Sequence, residues 1–323
     1  MKLNNGLTIP SIGLGTWLGA KGQVGAAVKL ALECGYKHLD CADIYRNEDE
    51  IGEFMSMVFK EGKVKREDIF VTSKLWVTDM GSKEDILDAC KLTLKNLQLD
   101  YLDMYLIHLP SHLQKDIPGR FPGSPDLKKY IIGYNADNYH EAWKGMEQLV
   151  DQGLVKTIGV SNLHSKQIED LMSREVRITP AVNQVELHPY LPQHKLAETC
   201  KKYDIMLQAF SPLGTPGRPV GEKREGDPVL LEDTVISKIA TKHNCTPAQV
   251  LIAWAVERNT NCLVKSVSES RIKENLAAGE VKLDKEDMES IGNIDTRCRY
   301  LSQGWGLREG QSLEDFWGGE YIN

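Results

Sequence analysis

The chain has 323 residues, 41% of them hydrophobic and 26% charged, enough to bury a large core and unlike a disordered, fibrous or disulfide-stapled protein. A formal net charge of -7 argues against a dedicated nucleic-acid surface, because neutralising phosphates takes clustered cations. The first residues carry no apolar signal-type core and no apolar run is long enough to span a bilayer, so the sequence predicts a soluble cytoplasmic protein with no membrane partner.

Asn5-Gly6 between short apolar runs predicts an N-terminal β-hairpin ahead of the main fold. Strand-like runs then recur at 12–14, 37–39, 69–72, 102–107, 157–160, 181–185, 205–209 and 262–264. Helical spacing fills the gaps at 24–34, 48–59, 82–97, 139–151, 165–172, 194–203 and 235–258, the last broken at Asn244, and again at 268–277. Thr246-Pro247-Ala248-Gln249 reads as a capped helix start, with Pro at the first helical position, in preference to a glycosylation sequon at Asn244. Eight strands alternating with eight helical segments predict one (β/α)8 TIM barrel over 1–323, with a doubly wound sheet as the alternative.

Three segments exceed ordinary connections: 109–138, with four prolines; 213–233, rich in Pro and Gly; and the tail 293–323, with Tyr300, Trp305, Phe316, Trp317 and Tyr321. Long loops on compact domains carry function, so these are expected to wall a cleft at the C-terminal face of the barrel. Gly13-x-Gly15-x-x-x-Gly19 imitates a dinucleotide fingerprint, but its third glycine falls one residue late. Seven scattered cysteines without a C-x-x-C pair suggest neither a disulfide framework nor a zinc ribbon, and Pro110 interrupts the His108/His112 pair, so no metal is expected.

Barrel chemistry gathers at the C-terminal ends of the strands. Those ends deliver Asp40 and Tyr45, Lys74, His108, Ser161 and Asn162, Asn183 and Gln184, Phe210 and Ser211, and Lys265 and Ser266. A phenol is protonated at neutral pH and serves as a general acid when something stabilises the phenolate it leaves. Lys74 is expected to lower the Tyr45 pKa, Asp40 to hold the lysine, and His108 to donate to a substrate oxygen. That set fits hydride addition to a carbonyl carbon. A glycosidase pair of Asp40 and Glu186 fits less well, although spacing alone does not exclude it.

The runs Gly35-Tyr36-Lys37-His38-Leu39-Asp40 with Tyr45, Val71-Thr72-Ser73-Lys74-Leu75-Trp76, Leu106-Ile107-His108, Ile158-Gly159-Val160-Ser161-Asn162, Asn183-Gln184-Val185-Glu186-Leu187-His188-Pro189 and Lys265-Ser266-Val267 resemble the aldo-keto reductase family. Within it the aldose and aldehyde reductases are the most similar. The resemblance implies a (β/α)8 barrel that binds NADP(H) and reduces aldehydes and ketones, usually as a monomer, with Tyr45 as proton donor and Asp40, Lys74 and His108 beside it. It implies that Ser161, Asn162 and Gln184 hold the nicotinamide carboxamide and that Phe210 stacks on the ring. Ser211, Leu213 and Thr215 then form the pyrophosphate loop, Lys265, Ser266 and Arg271 clamp the 2'-phosphate, and Glu274 and Asn275 lie toward the adenine. Trp17, Trp76, Leu109 and Phe121 fall at pocket positions. Leu109 replaces a tryptophan and Val264 a proline of the family pattern, so the substrate does not carry over with the chemistry. A non-catalytic, NADPH-binding redox-sensing or structural member of the fold is the alternative.

Overall fold

The apolar runs resolve into eight parallel strands that close on themselves. The structure is a computed structural model and describes residues 1–118 and 126–321. The strands are β1 (Ile12–Gly15), β2 (His38–Asp40), β3 (Phe70–Leu75), β4 (Leu102–Ile107), β5 (Val155–Ser161), β6 (Val182–Glu186), β7 (Met206–Phe210) and β8 (Asn261–Val264). Each pairs with its neighbour in sequence, and β8 returns to β1 with Cys262 opposite Ile12. A closed ring of this kind excludes the doubly wound sheet.

The outer layer is α1 (Val24–Cys34), α2 (Glu48–Lys60), α3 (Lys83–Leu97), α4 (Ala136–Asp151), α5 (Ser165–Met172), α6 (His194–Lys202), α7 (Thr234–Lys242), α8 (Pro247–Glu257) and α9 (Glu269–Ala277), with α10 (Lys285–Gly292) beyond the barrel. Local chemistry sets the ends of several. Thr246 Oγ1 accepts from the Gln249 amide (3.2 Å) while the Thr246 amide donates to Gln249 Oε1 (3.0 Å), a reciprocal cap that separates α8 from α7. The α8 residues from Val250 to Ala255 are all buried against the barrel and its neighbouring helices. At the end of α1, Gly35 takes φ 104°, a left-handed turn that a Cβ would strain.

Several boundaries differ from the sequence reading. β3 runs on to Leu75, because Ser73 and Lys74 are both buried with polar partners and so do not end the strand. α4 starts at Ala136 because the Asn135 side chain accepts from the Asn138 amide. The N-terminal hairpin reduces to a single antiparallel bridge, Lys2 to Thr8, with Gly6 at φ 85° in its turn. Even so, Leu3 and Ile9 pack with Phe70, Met104, Ala181 and Val182, and Asn4 Nδ2 donates to the Pro180 and Asp204 carbonyls, so the segment plugs the N-terminal mouth. Gly13 serves packing, since a Cβ there would meet His38 Nδ1 at 2.6 Å and Leu263 Cδ2 at 2.8 Å. The loop after β4 contains a two-stranded antiparallel ribbon, His112–Leu113 with Ile131–Gly133. Among the described residues no helix is long and apolar enough to cross a membrane. With one mouth plugged, the open cavity lies at the other.

Candidate active site

β2 and β3 lie side by side with Asp40 opposite Thr72, which brings the inward-facing Lys74 to the end of β2. Lys74 is fully buried, and a buried ammonium needs partners. Its Nζ donates to Asp40 Oδ2 (2.7 Å), to the Cys41 carbonyl (2.9 Å) and to the Tyr45 hydroxyl (3.2 Å). Burial works against its charge, but Asp40 and Tyr45 more than offset this and hold the pKa above the ordinary lysine value. Tyr45 sits in a short 3-10 turn, Asp43–Tyr45, which Arg46 ends in the left-handed region. Burial pushes the phenol up to about 12 against the pull of Lys74. The expected lowering by Lys74 is therefore present as a contribution but loses to desolvation in the net value.

His108 follows β4. Its ring meets Tyr45 edge-on (centroids 5.7 Å, 81°) and Trp76 likewise (5.3 Å, 81°). Burial, then Lys74, drives its pKa well below the ordinary value, so the imidazole is neutral. Its Nδ1 is buried and has no hydrogen-bond partner among the described residues.

On the outer side of β3, Ser73 donates to Glu48 Oε1 (2.5 Å). Burial pushes that carboxyl up to about 8, so it is protonated at neutral pH. An amide chain crosses the barrel interior. Gln184 Nε2 donates to Asp40 Oδ1 (2.8 Å) and to Gln208 Oε1 (2.6 Å), and Gln208 Nε2 donates to Asn261 Oδ1 (2.7 Å). Both Asp40 oxygens are thus held by the protein.

A cavity of about 1200 Å³ opens above this floor. Of the residues expected from sequence, Asp40, Tyr45 and His108 line it, and Lys74 lies just beneath. Ser161, Asn162, Gln184, Phe210, Ser211, Leu213 and Thr215 line it further along, as do Lys265, Ser266, Arg271, Glu274 and Asn275 at its far end. Trp17, Trp76 and Leu109 line its apolar part, whereas Phe121 lies outside the described residues. Asn162 (φ 62°), Ser211 (φ 51°) and Thr215 (φ 40°) all take left-handed backbone, and at Gly214 (φ 75°), just before Thr215, a Cβ would crowd Leu230 and Tyr300 at 3.0 Å. Lys265 is held below its ordinary pKa by partial burial and by the neighbouring Arg271. Two cations without an ion pair among the described residues, beside the Ser266 hydroxyl, have the donor chemistry a phosphate monoester requires.

Sequence reasoning missed part of the wall. That part is Ile44; the segments expected to wall a cleft do contribute, 213–233 through Glu222 and the tail through Leu301, Ser302, Gln303 and Trp305, which stacks on Trp76 (6.0 Å, 30°). Glu186, a glycosidase candidate by position, anchors the tail. Its carboxylate accepts from the Tyr300 amide (2.7 Å), the Leu301 amide (2.9 Å) and His188 Nε2 (2.8 Å). Burial opposes its charge, but these bonds and Arg299 keep its pKa below the ordinary value. With Asp40 committed to Lys74 and Glu186 to the tail, the two carboxylates do not form a hydrolytic pair. Among the described residues there is no cluster of three or more metal-ligating side chains.

The Aldo/keto reductase family model matches residues 11–296. An aldo/keto reductase of Synechocystis sp. is 42% identical over 317 residues, 98% of this chain and 95% of that protein. Aldo-keto reductase family 1 member A1 of Gallus gallus is 45% identical over 300 residues, 93% of this chain and 89% of that one. The solved structure of the aldose reductase from Schistosoma japonicum superposes with a TM-score of 0.84 at 40% identity, covering 97% of this chain and 99% of that chain.

Proposed function

Because the chain belongs to the aldo/keto reductase family, whose members use nicotinamide cofactors to reduce carbonyls, we propose that it reduces aldehydes and ketones with NADPH and that Tyr45 delivers the proton. One observation carries the assignment: a single buried ammonium, Lys74, bonds Asp40 on one side and the Tyr45 hydroxyl on the other, at the floor of the cavity. A protein that only bound a dinucleotide would have no use for a cation aimed at a phenol.

When bound, the reduced nicotinamide supplies the hydride. Ser161, Asn162 and Gln184 would hold its carboxamide, Phe210 would face the ring, Ser211, Leu213 and Thr215 the pyrophosphate, and Lys265, Ser266 and Arg271 the 2'-phosphate, with Glu274 and Asn275 toward the adenine. The remaining work belongs to the floor. The neutral His108 donates a hydrogen bond to the substrate oxygen and orients it toward Tyr45. As negative charge develops on that oxygen, the Tyr45 proton crosses to it. The phenolate forms 3.2 Å from Lys74, whose charge is already fixed in place by Asp40. Because burial holds the phenol near 12, the proton stays on Tyr45 until the oxygen becomes more basic than an ordinary phenolate. Trp17, Ile44, Trp76, Leu109, Leu301 and Trp305 give the substrate end an apolar wall and shield these steps from water.

Mixing the protein with NADPH and a panel of carbonyl compounds, and following loss of the reduced-nicotinamide absorbance, tests the reading. Turnover of aldehydes with apolar bodies, in preference to small polyhydroxylated ones, is expected. Tight NADPH binding with no turnover of any aldehyde or ketone would replace it with the binding-only role.

A further inference from the structure

The tail reaches the end of β5 through one side chain. Asn162 Nδ2 donates to the His108 carbonyl (3.0 Å) and to Ser161 Oγ (3.0 Å), and the carbonyl can only accept, so the orientation of the Asn162 amide is fixed. Its Oδ1 accepts from Gln303 Nε2 (2.8 Å) and keeps one lone pair. That contact in turn fixes which end of Gln303 is which, leaving its Oε1 buried with no partner among the described residues. Gln303 is rigidly placed. It takes φ 57°, and the preceding Ser302 is bonded through its amide and its hydroxyl to Glu222 Oε2 (both 2.9 Å), while its carbonyl accepts from Trp317 Nε1 (3.1 Å). Two residues on, Trp305 stacks on Trp76. An orphaned acceptor costs free energy unless a ligand donor completes it.

Asn162 and Gln303 therefore present two acceptor positions side by side, while both Asn162 donors and the Ser161 hydroxyl, which donates to the Gln184 carbonyl (2.8 Å), are spent within the protein. A primary amide NH2 has the matching pair of donors. We propose that Gln303 is a cofactor-binding residue that completes the nicotinamide carboxamide site, accepting one N–H through Oε1 while its Nε2 steadies Asn162. The inference rests on the NADPH reading above and adds to it a contact from the tail.

Binding of three probes, measured by tryptophan fluorescence on wild type and Gln303→Leu, tests the proposal: NADPH, its 3-acetylpyridine analogue, in which a methyl replaces the NH2, and 2'-phospho-ADP-ribose, which lacks the nicotinamide. The variant should bind NADPH about 3- to 10-fold more weakly, with the other two unchanged. Gln303→Glu, which keeps an acceptor but turns an oxygen toward Asn162 Oδ1, should show the same selective loss and guards against a folding defect in the leucine variant. Equal weakening of all three probes would mean that the tail only supports the fold, and no change in any would remove Gln303 from the site; either overturns the proposal. A wild type that binds none of the three would instead overturn the NADPH reading itself, and this proposal with it.

Discussion

The two ends of the cavity are built on opposite electrostatic plans. At the floor, the charges of Asp40 and Lys74 are paired, buried and hydrogen-bonded within the protein. At the far end, the Lys265 and Arg271 side chains reach solvent, and the partial desolvation of Lys265, with repulsion from Arg271, holds it below its ordinary pKa. The difference assigns their work. A finished, desolvated cluster can act on a reacting atom without reorganising, whereas an unfinished cationic pair gains most from a ligand that brings the missing anion.

The sharpest way to break this contrast is Lys74→Met. It leaves Asp40 buried without its cation, so stability should fall by about 3–5 kcal/mol in denaturant titration. Turnover should drop by about 10²- to 10⁴-fold while NADPH affinity changes little. A variant that kept its rate would show the floor to be structural. The converse change, Lys265→Ala with Arg271→Ala, should weaken NADPH by about 10- to 100-fold and leave NADH binding and kcat close to wild type. Loss of kcat at saturating cofactor would erase the distinction between the two ends. Glu186→Gln tests the wall between them. Replacing a carboxylate that accepts from two tail amides should cost about 1.5–3 kcal/mol of stability and raise KM more than it lowers kcat.

Stability should also depend on pH. Burial and then Lys74 push His38 down to about 3 from 6.5, so below pH 6.5 the unfolded chain binds a proton that the folded chain refuses. Glu48, its carboxyl pushed up to about 8, opposes this slope above about pH 4.5, so the decline in stability belongs to the stretch from about pH 4.5 toward 3, where His38 contributes up to ~1.4 kcal/mol per unit and thermal melts would read it. Reduction itself should stay flat between about pH 6 and pH 9, because Tyr45 remains protonated and His108 neutral across that range.

The barrel is legible in the sequence because its signals are local. The Thr246 cap, the strand runs and the polar residues at their ends all lie within a few positions of what they control. The same locality makes the third apolar run stop short, at Thr72. Ser73 and Lys74 look like its end, and only the partners Glu48 and Asp40, brought from elsewhere in the chain, let the strand carry them to Leu75. Gln303 and Asn162 are 141 residues apart, and Glu186 and Tyr300 are 114, so no spacing rule could join them. Glu186 looks reactive because an acid at a strand end is all that a sequence displays. Its backbone partners are visible only once the tail is folded. The Tyr45 pKa shows the same limit, since the cation beside it can be read from the motif but the extent of its burial cannot.

In this mechanism a phenol supported by Lys74 gives up its proton while the rest of the cavity binds and orients. Tyr45→Phe isolates that proton, with NADPH affinity and aldehyde turnover measured on the same preparation. The hydroxyl is the sole group removed, so affinity should stay close to wild type while kcat falls by about 10²- to 10⁴-fold. Full turnover in the phenylalanine variant would mean that Tyr45 is not the proton donor.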